Sequence, residues 1–188
     1  TVGVLEIAEA FAKAKAAGRG PNRSILFLAV SGEEKGLWGS AYYANHPVYP
    51  LEKTSIDINI DMIGRRGYGK EENDNYVYVI GSDRLSTDLH NISEAANKKY
   101  AQLELDYKYN AEDDPNRFYY RSDHYNFAKN GIPSLFYFNG THEDYHQPSD
   151  DVSKIEFDAL QKRVQLIFAT AWELANRENK PVVDKPIK

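Results

Sequence analysis

The sequence predicts an α/β domain in which helices cover both faces of a mixed, largely parallel β-sheet. Three observations carry that expectation. Short apolar runs (SILFLAV, YVYVI and PSLFYF) have the length and the β-branched or aromatic content of buried strands. A fourth run, TSIDINID, alternates strictly, with Ile56, Ile58 and Ile60 on one face and Asp57, Asn59 and Asp61 on the other. Stretches of helical apolar spacing lie between these runs, and strands alternating with helices make a sheet wound with crossover helices.

The elements follow in order. Val4, Leu5, Ala8, Phe11 and Ala12 recur at helical spacing with Glu6, Glu9 and Lys13 opposite, so the chain opens directly into an amphipathic helix. An α/β domain ordinarily supplies a strand before such a helix, so the opening reads as the middle of a larger unit. Residues 18–22 end the helix, and 24–30 read as a fully buried strand. Residues 37–46 have helical character and stop before Pro47. After the alternating strand, 64–75 are polar and Gly-rich, a loop. YVYVI is a short strand, 85–100 fit a helix, and LELDY is another strand. Residues 108–120 are charged and aromatic, the composition of a loop that borders a site. Ser122 is expected to cap a short helix through Lys129. PSLFYF, a buried strand, leads into the loop NGTHEDYHQPSDD. The last helix spans 156–176, with Phe157, Leu160, Val164, Ile167, Phe168 and Ala171 on its apolar face, and the tail after Lys180 is expected to fray.

Composition narrows the function. At 188 residues the chain is most simply one domain with a proper core, and 41% hydrophobic with 27% charged residues is a globular mixture. The net charge of −5, without a basic cluster, argues against nucleic acid or an anionic membrane as partner. No apolar run is long enough to cross a bilayer. With no cysteine, disulfides and thiolate ligands are excluded. Any metal must be held by His, Asp or Glu.

In open α/β sheets ligands gather outside the carboxyl ends of strands. Three such ends carry acidic or His residues: Glu33-Glu34, Asp61, and His142 with His146. Adjacent carboxylates repel, and a divalent cation bound to one of them would offset that repulsion. Carboxylate and imidazole suit Zn²⁺, which lowers the pKa of a water from about 16 towards ~7. A base must still take the proton, and of two adjacent Glu residues one can coordinate while the other does so. A phenol such as Tyr145 could donate to the oxyanion that develops on an attacked carbonyl.

The segments SGEEKGLWGSAYYA, INIDMIG, RSDHYNF and GTHEDYHQPSDD, in that order, closely resemble the co-catalytic zinc aminopeptidases of peptidase family M28. The likeness runs over nearly the whole chain. It implies the mixed-sheet fold of the zinc-dependent exopeptidases and removal of N-terminal residues from peptide substrates. It also implies two zinc ions bridged by one Asp and a water in the intact family. Matched motif by motif, Glu33 resembles the general base and Glu34 a ligand of one zinc. Asp61 resembles the carboxylate ligand of the other, and His146 the imidazole partner of Glu34. Tyr145 resembles the oxyanion donor. Asp123 and His124 are expected behind the ligands or in the pocket, and His142 in a supporting role. Arg117, Tyr119, Tyr120 and Arg121 either line the pocket or form a solvated aromatic loop.

The chain also departs from the family. Relatives carry an upstream His-x-Asp segment and then an Asp-Asn segment with the bridging Asp, and neither motif occurs here. Residues 1–188 are therefore expected to be the C-terminal portion of one peptidase catalytic domain, with the N-terminal part missing. One zinc or none is expected in this chain, with weak activity or none. Export to the periplasm or outside the cell is expected from the resemblance alone. Two alternatives stand beside it: a single-zinc acyltransferase like the glutaminyl cyclases, and a peptidase-like binding module without catalysis.

Overall fold

The computed structural model describes residues 1–187. Strands β1 (Asp57–Ile60), β2 (Tyr76–Ile80), β3 (Glu104–Asp106) and β4 (Ser134–Phe138) lie in one sheet in the order β1-β4-β2-β3. β1 runs parallel to β4, with Ile60 opposite Tyr137, and β2 runs parallel to β3. β2 and β4 are antiparallel, Val79 opposite Tyr137. The sheet is mixed and largely parallel, as the strand pattern predicts. β2 and β4 are buried at every position because their runs are apolar on both faces, which suits them to the centre. β3 is short and carries Glu104 and Asp106, a blunted edge.

The pleat sorts the side chains. Val77, Val79, Leu135 and Tyr137 face α1 (Val2–Ala16), α3 (Thr87–Ala96) and α5 (Phe157–Asn176), meeting Ile7, Phe11, Leu89, Ile92 and Leu166. Tyr76, Tyr78, Ile80, Phe136 and Phe138 face the opposite side, under Phe118, Tyr119 and Ala128 of α4 (Tyr125–Ala128). α2 (Trp38–Asn45) joins that side through Tyr43, which packs on Phe127 and Ile132. Each fully buried Leu, Ile or Phe side chain contributes about 1.5–3 kcal/mol. The Tyr137 hydroxyl meets those of Ser93 and Thr170, both at 2.9 Å, which ties β4 to α3 and α5.

Arg163 of α5 is fully buried. Its guanidinium donates to the carbonyls of Ile63 (2.8 Å) and of Arg65, Asp74 and Tyr76 (3.3 Å each). Both ends of the 64–75 loop are thereby fastened to α5, directly behind Asp61.

Five expectations need correction. Residues 24–30 do not join the sheet; they run extended without ladder bonds, and Leu26 and Phe27 are 47% and 37% exposed. Among the described residues β4 is the only strand paired with β1, so the other edge of β1 is free and 24–30 does not pair with it; apolarity permits a strand, and packing decides whether the segment meets an edge. Ile25 packs on the main core and Leu28 on the Tyr43, Phe127 and Ile132 cluster. Ser122 does not cap α4: the helix starts at Tyr125, and the Ser122 hydroxyl bonds Asp61 instead. α3 stops at Ala96 and passes into a single wide turn, Asn97–Ala101. There the Asn97 side chain ties back to Leu103 N (2.9 Å) and O (2.8 Å). Phe157 is exposed, since it opens the first turn of α5 before the helix reaches the sheet. The tail does not fray either. Asp184 accepts from Thr87 N at 2.9 Å and Lys185 donates to Asp83 O at 2.6 Å.

Candidate active site

Glu33 and Glu34 sit in a tight turn, Glu33–Lys35, between the extended segment 24–30 and α2. Gly32 and Gly36 adopt left-handed backbone at either end of it, a conformation that L side chains resist. Gly39 lets α2 close onto the turn: its N–H donates to Ser31 O at 2.8 Å, and a Cβ there would stand 2.5 Å from that oxygen. The turn holds both carboxylates at the cavity that Asp61 also borders.

Asp61 follows β1 directly. Its N–H still reaches Tyr137 O (3.3 Å), and the chain then turns at Met62 through left-handed backbone. The Ser122 hydroxyl donates to Asp61 Oδ2 at 2.8 Å and accepts from Asn59 Nδ2 at 2.8 Å. Tyr145 and His146 lie on the loop after β4. His146 Nε2 stands 2.7 Å from Glu34 Oε1, and its ring stacks on Tyr145 with centroids 3.8 Å apart.

Glu33, Glu34, Asp61, Tyr145 and His146 therefore border one cavity of about 170 Å³. Met62, Phe118, Phe136 and Phe138 supply its apolar lining, and Arg121, Ser122, Thr141 and Asp150 complete its polar rim. The electrostatics are those of surplus negative charge. Burial raises Glu33 to about 7, and the Asp61, Glu34 and Asp123 carboxylates add to the rise. Burial also raises Asp61, against the opposing bond from Ser122, and raises the Tyr145 phenol.

The other candidates lie outside the cavity. Asp123 accepts from Ser40 Oγ at 2.5 Å, and Asn126 Nδ2 donates to Ser40 Oγ at 2.8 Å. His124 is a core residue, its ring 4.7 Å from Phe136 and edge-on to Tyr119 at 5.5 Å; burial lowers its pKa to about 3, so it packs as a neutral ring. His142 has a buried Nδ1 without a hydrogen-bond partner, and burial, helped by the Arg65 charge, lowers its pKa. Of the aromatic loop, Arg121 reaches the cavity, Tyr119 belongs to the core, and Arg117 lies over the Tyr120 ring. Sequence reasoning missed Phe136 and Phe138, because a strand residue that lines a cavity reads like one that fills a core. It missed Arg65 and Asp144 too, whose pairing is visible only in space.

The donor types fit zinc. Glu34 and His146 already converge, and the raised carboxyl pKa values mark a place where a cation would be stabilised. The shell is partial. Among the described residues no three His, Cys, Asp or Glu side chains gather closely enough to enclose an ion.

A model of peptidase family M28 matches residues 1–171. The chain belongs to peptidase family M28. Among M28 relatives, aminopeptidase YwaD of Bacillus subtilis is 28% identical over 85% of this chain and 34% of its own length. A probable zinc metalloprotease of Pyricularia oryzae is 25% identical over 92% of this chain and 40% of its own. The solved structure of LapB from Legionella pneumophila superposes with a TM-score of 0.69, at 20% identity, over 87% of this chain and 43% of that one, a likeness of fold. The chain thus spans about a third of the length of the curated relatives it matches. Among the described residues no helix is long and apolar enough to cross a membrane.

Proposed function

We propose that this chain carries part of an aminopeptidase site, which hydrolyses the N-terminal peptide bond of peptide substrates with zinc. The observation that carries the reading is the convergence of three carboxylates, an imidazole and a phenol on one cavity, from the 33–35 turn, the end of β1 and the loop after β4, with His146 2.7 Å from Glu34. Membership of family M28 supports it, as do relatives named as aminopeptidases and a probable zinc metalloprotease.

In this reading Glu34, His146 and Asp61 would hold zinc, which would supply a Lewis acid and lower the pKa of a water towards neutrality. Glu33 takes the proton from the attacking water and returns it to the leaving amine. Its pKa of about 7 suits a group that must both accept and release a proton. Tyr145 directs its hydroxyl to the carbonyl oxygen as negative charge develops there. One ion or none is the occupancy we infer for these three residues, with Ser122 bonded to Asp61 Oδ2 and Glu34 and His146 as the donor pair that already meets.

The test is mass spectrometry of peptides incubated with the protein and Zn²⁺, with and without chelator. Release of the N-terminal residue that stops with chelator supports the reading. Loss of ammonia from an N-terminal Gln peptide would make it a cyclase. Peptide binding with no turnover even when segments carrying the two missing ligands are supplied would make it a binding module.

A further inference from the structure

We propose that Arg65 and Asp144 are positioning residues, clamping the loop of Tyr145 and His146 to the turn behind Asp61 so that His146 is held at Glu34. The inference rests on the functional reading above for its purpose. Its geometry stands on other residues, since neither Arg65 nor Asp144 borders the cavity.

Asp144 immediately precedes Tyr145, and its side chain is 6% exposed. Arg65 Nη1 donates to Oδ2 at 2.6 Å, while Lys154 Nζ (2.6 Å) and Ser149 Oγ (2.5 Å) donate to Oδ1. Arg65 Nη1 also reaches Asp150 Oδ1 at 3.2 Å, on the far side of His146. The loop is thus gripped on both flanks of the two site residues. A buried carboxylate that loses its cation keeps its desolvation cost, so each partner enforces the other. Arg65 is itself fixed from below, because Arg163 holds the carbonyls of Ile63 and Arg65. The contacts run unbroken from α5 through the turn to the loop.

The backbone shows what the clamp restrains. His146 has φ 59, the left-handed region that a residue with a Cβ occupies only when its surroundings over-determine it. Glu34 cannot supply that restraint. Both partners of its contact with His146 are about half exposed, and such pairs are worth ~0–1 kcal/mol. Asp144, buried with three donors two residues earlier, can.

Amide hydrogen exchange and proton NMR of the zinc-free protein test this without calling on activity. Tyr145 N donates to His142 O and Gln147 N to Asp144 O, so both amides report on the loop. The His146 ring protons report on the stack with Tyr145 through its ring current. Arg65→Gln should speed exchange at Tyr145 and Gln147 by roughly tenfold or more while Val79 in β2 keeps its rate. The ring-current shift should collapse with it. Arg65→Lys should restore part of both. Lys154→Met, which removes one donor at the surface end, should give a smaller change in the same direction and serves if Arg65→Gln fails to fold. Wild-type rates and shifts in folded Arg65→Gln or Lys154→Met overturn the proposal, as does exchange that accelerates equally everywhere. In the hydrolysis assay Arg65→Gln should lower kcat by about 10²-fold with KM within a factor of about two. A wild type without turnover leaves the clamp to be judged by NMR.

Discussion

His146 Nε2 stands 2.7 Å from Glu34 Oε1 across 112 residues of sequence, and both side chains are about half exposed. An exposed pair of this kind contributes ~0–1 kcal/mol, too little to explain the meeting as a stabilising device. His146→Ala should therefore leave urea stability within about 0.5 kcal/mol of the parent. Zinc uptake in equilibrium dialysis should fall below detection. A variant that binds zinc like the parent would remove His146 from the ligand set.

Glu33 shares the cavity yet makes no close contact with His146 like that of Glu34. Glu33→Gln keeps its shape and removes the base. Turnover of aminoacyl anilides should drop by about 10²–10⁴-fold, with zinc uptake and unfolding midpoint retained. Steady-state kinetics beside a zinc titration of the same sample separates the two effects.

Tyr145 stacks on His146, and Phe can stack equally well. Tyr145→Phe should accordingly lower kcat by about 10²–10³-fold and leave KM within a factor of about two, the mark of a bond made in the transition state. A raised KM with unchanged kcat would make Tyr145 a substrate-binding group.

Asp57 has a buried Oδ2 with no hydrogen-bond partner, and burial with the nearby Asp123 raises its pKa to about 7 from an ordinary value near ~3.9. The folded protein thus holds this proton more tightly than the unfolded chain. Its contribution to stability is full below about pH 4 and is lost as the pH rises through about 7. Asp57→Asn should match the parent at pH 4 and exceed it at pH 8 by on the order of a few kcal/mol, read from urea unfolding at pH 4, 6 and 8. Equal stabilities at pH 8 would mean that Asp57 ionises without cost.

Much of the fold was legible along the chain. YVYVI and PSLFYF announce central strands because both faces of each are apolar, and both are buried throughout. The strict alternation of TSIDINID puts Asn59 and Asp61 on one face, where Ser122 bonds both. SILFLAV looks as strand-like as either central run and forms no strand, because composition does not say whether packing will lay a segment along an edge, and β1 keeps one edge unpaired. Ser122 reads as a helix cap and serves Asp61, since a hydroxyl bonds whichever partner the packing brings nearest.

The sequence by itself determined most of the alternation of strands and helices and the chemical types of three site segments: paired Glu, a terminal Asp, and Tyr-His. These are local properties, set by the hydrophobic period and by which side chains can bind a cation or carry a proton. Only the tertiary structure decided that His146 meets Glu34, that Ser122 engages Asp61, and that Arg65 grips Asp144. Those contacts join residues far apart in the chain, and their distances follow from strand register and the burial of Arg163 behind the loop. No window of sequence contains that information, because it resides in the packing of one segment against another.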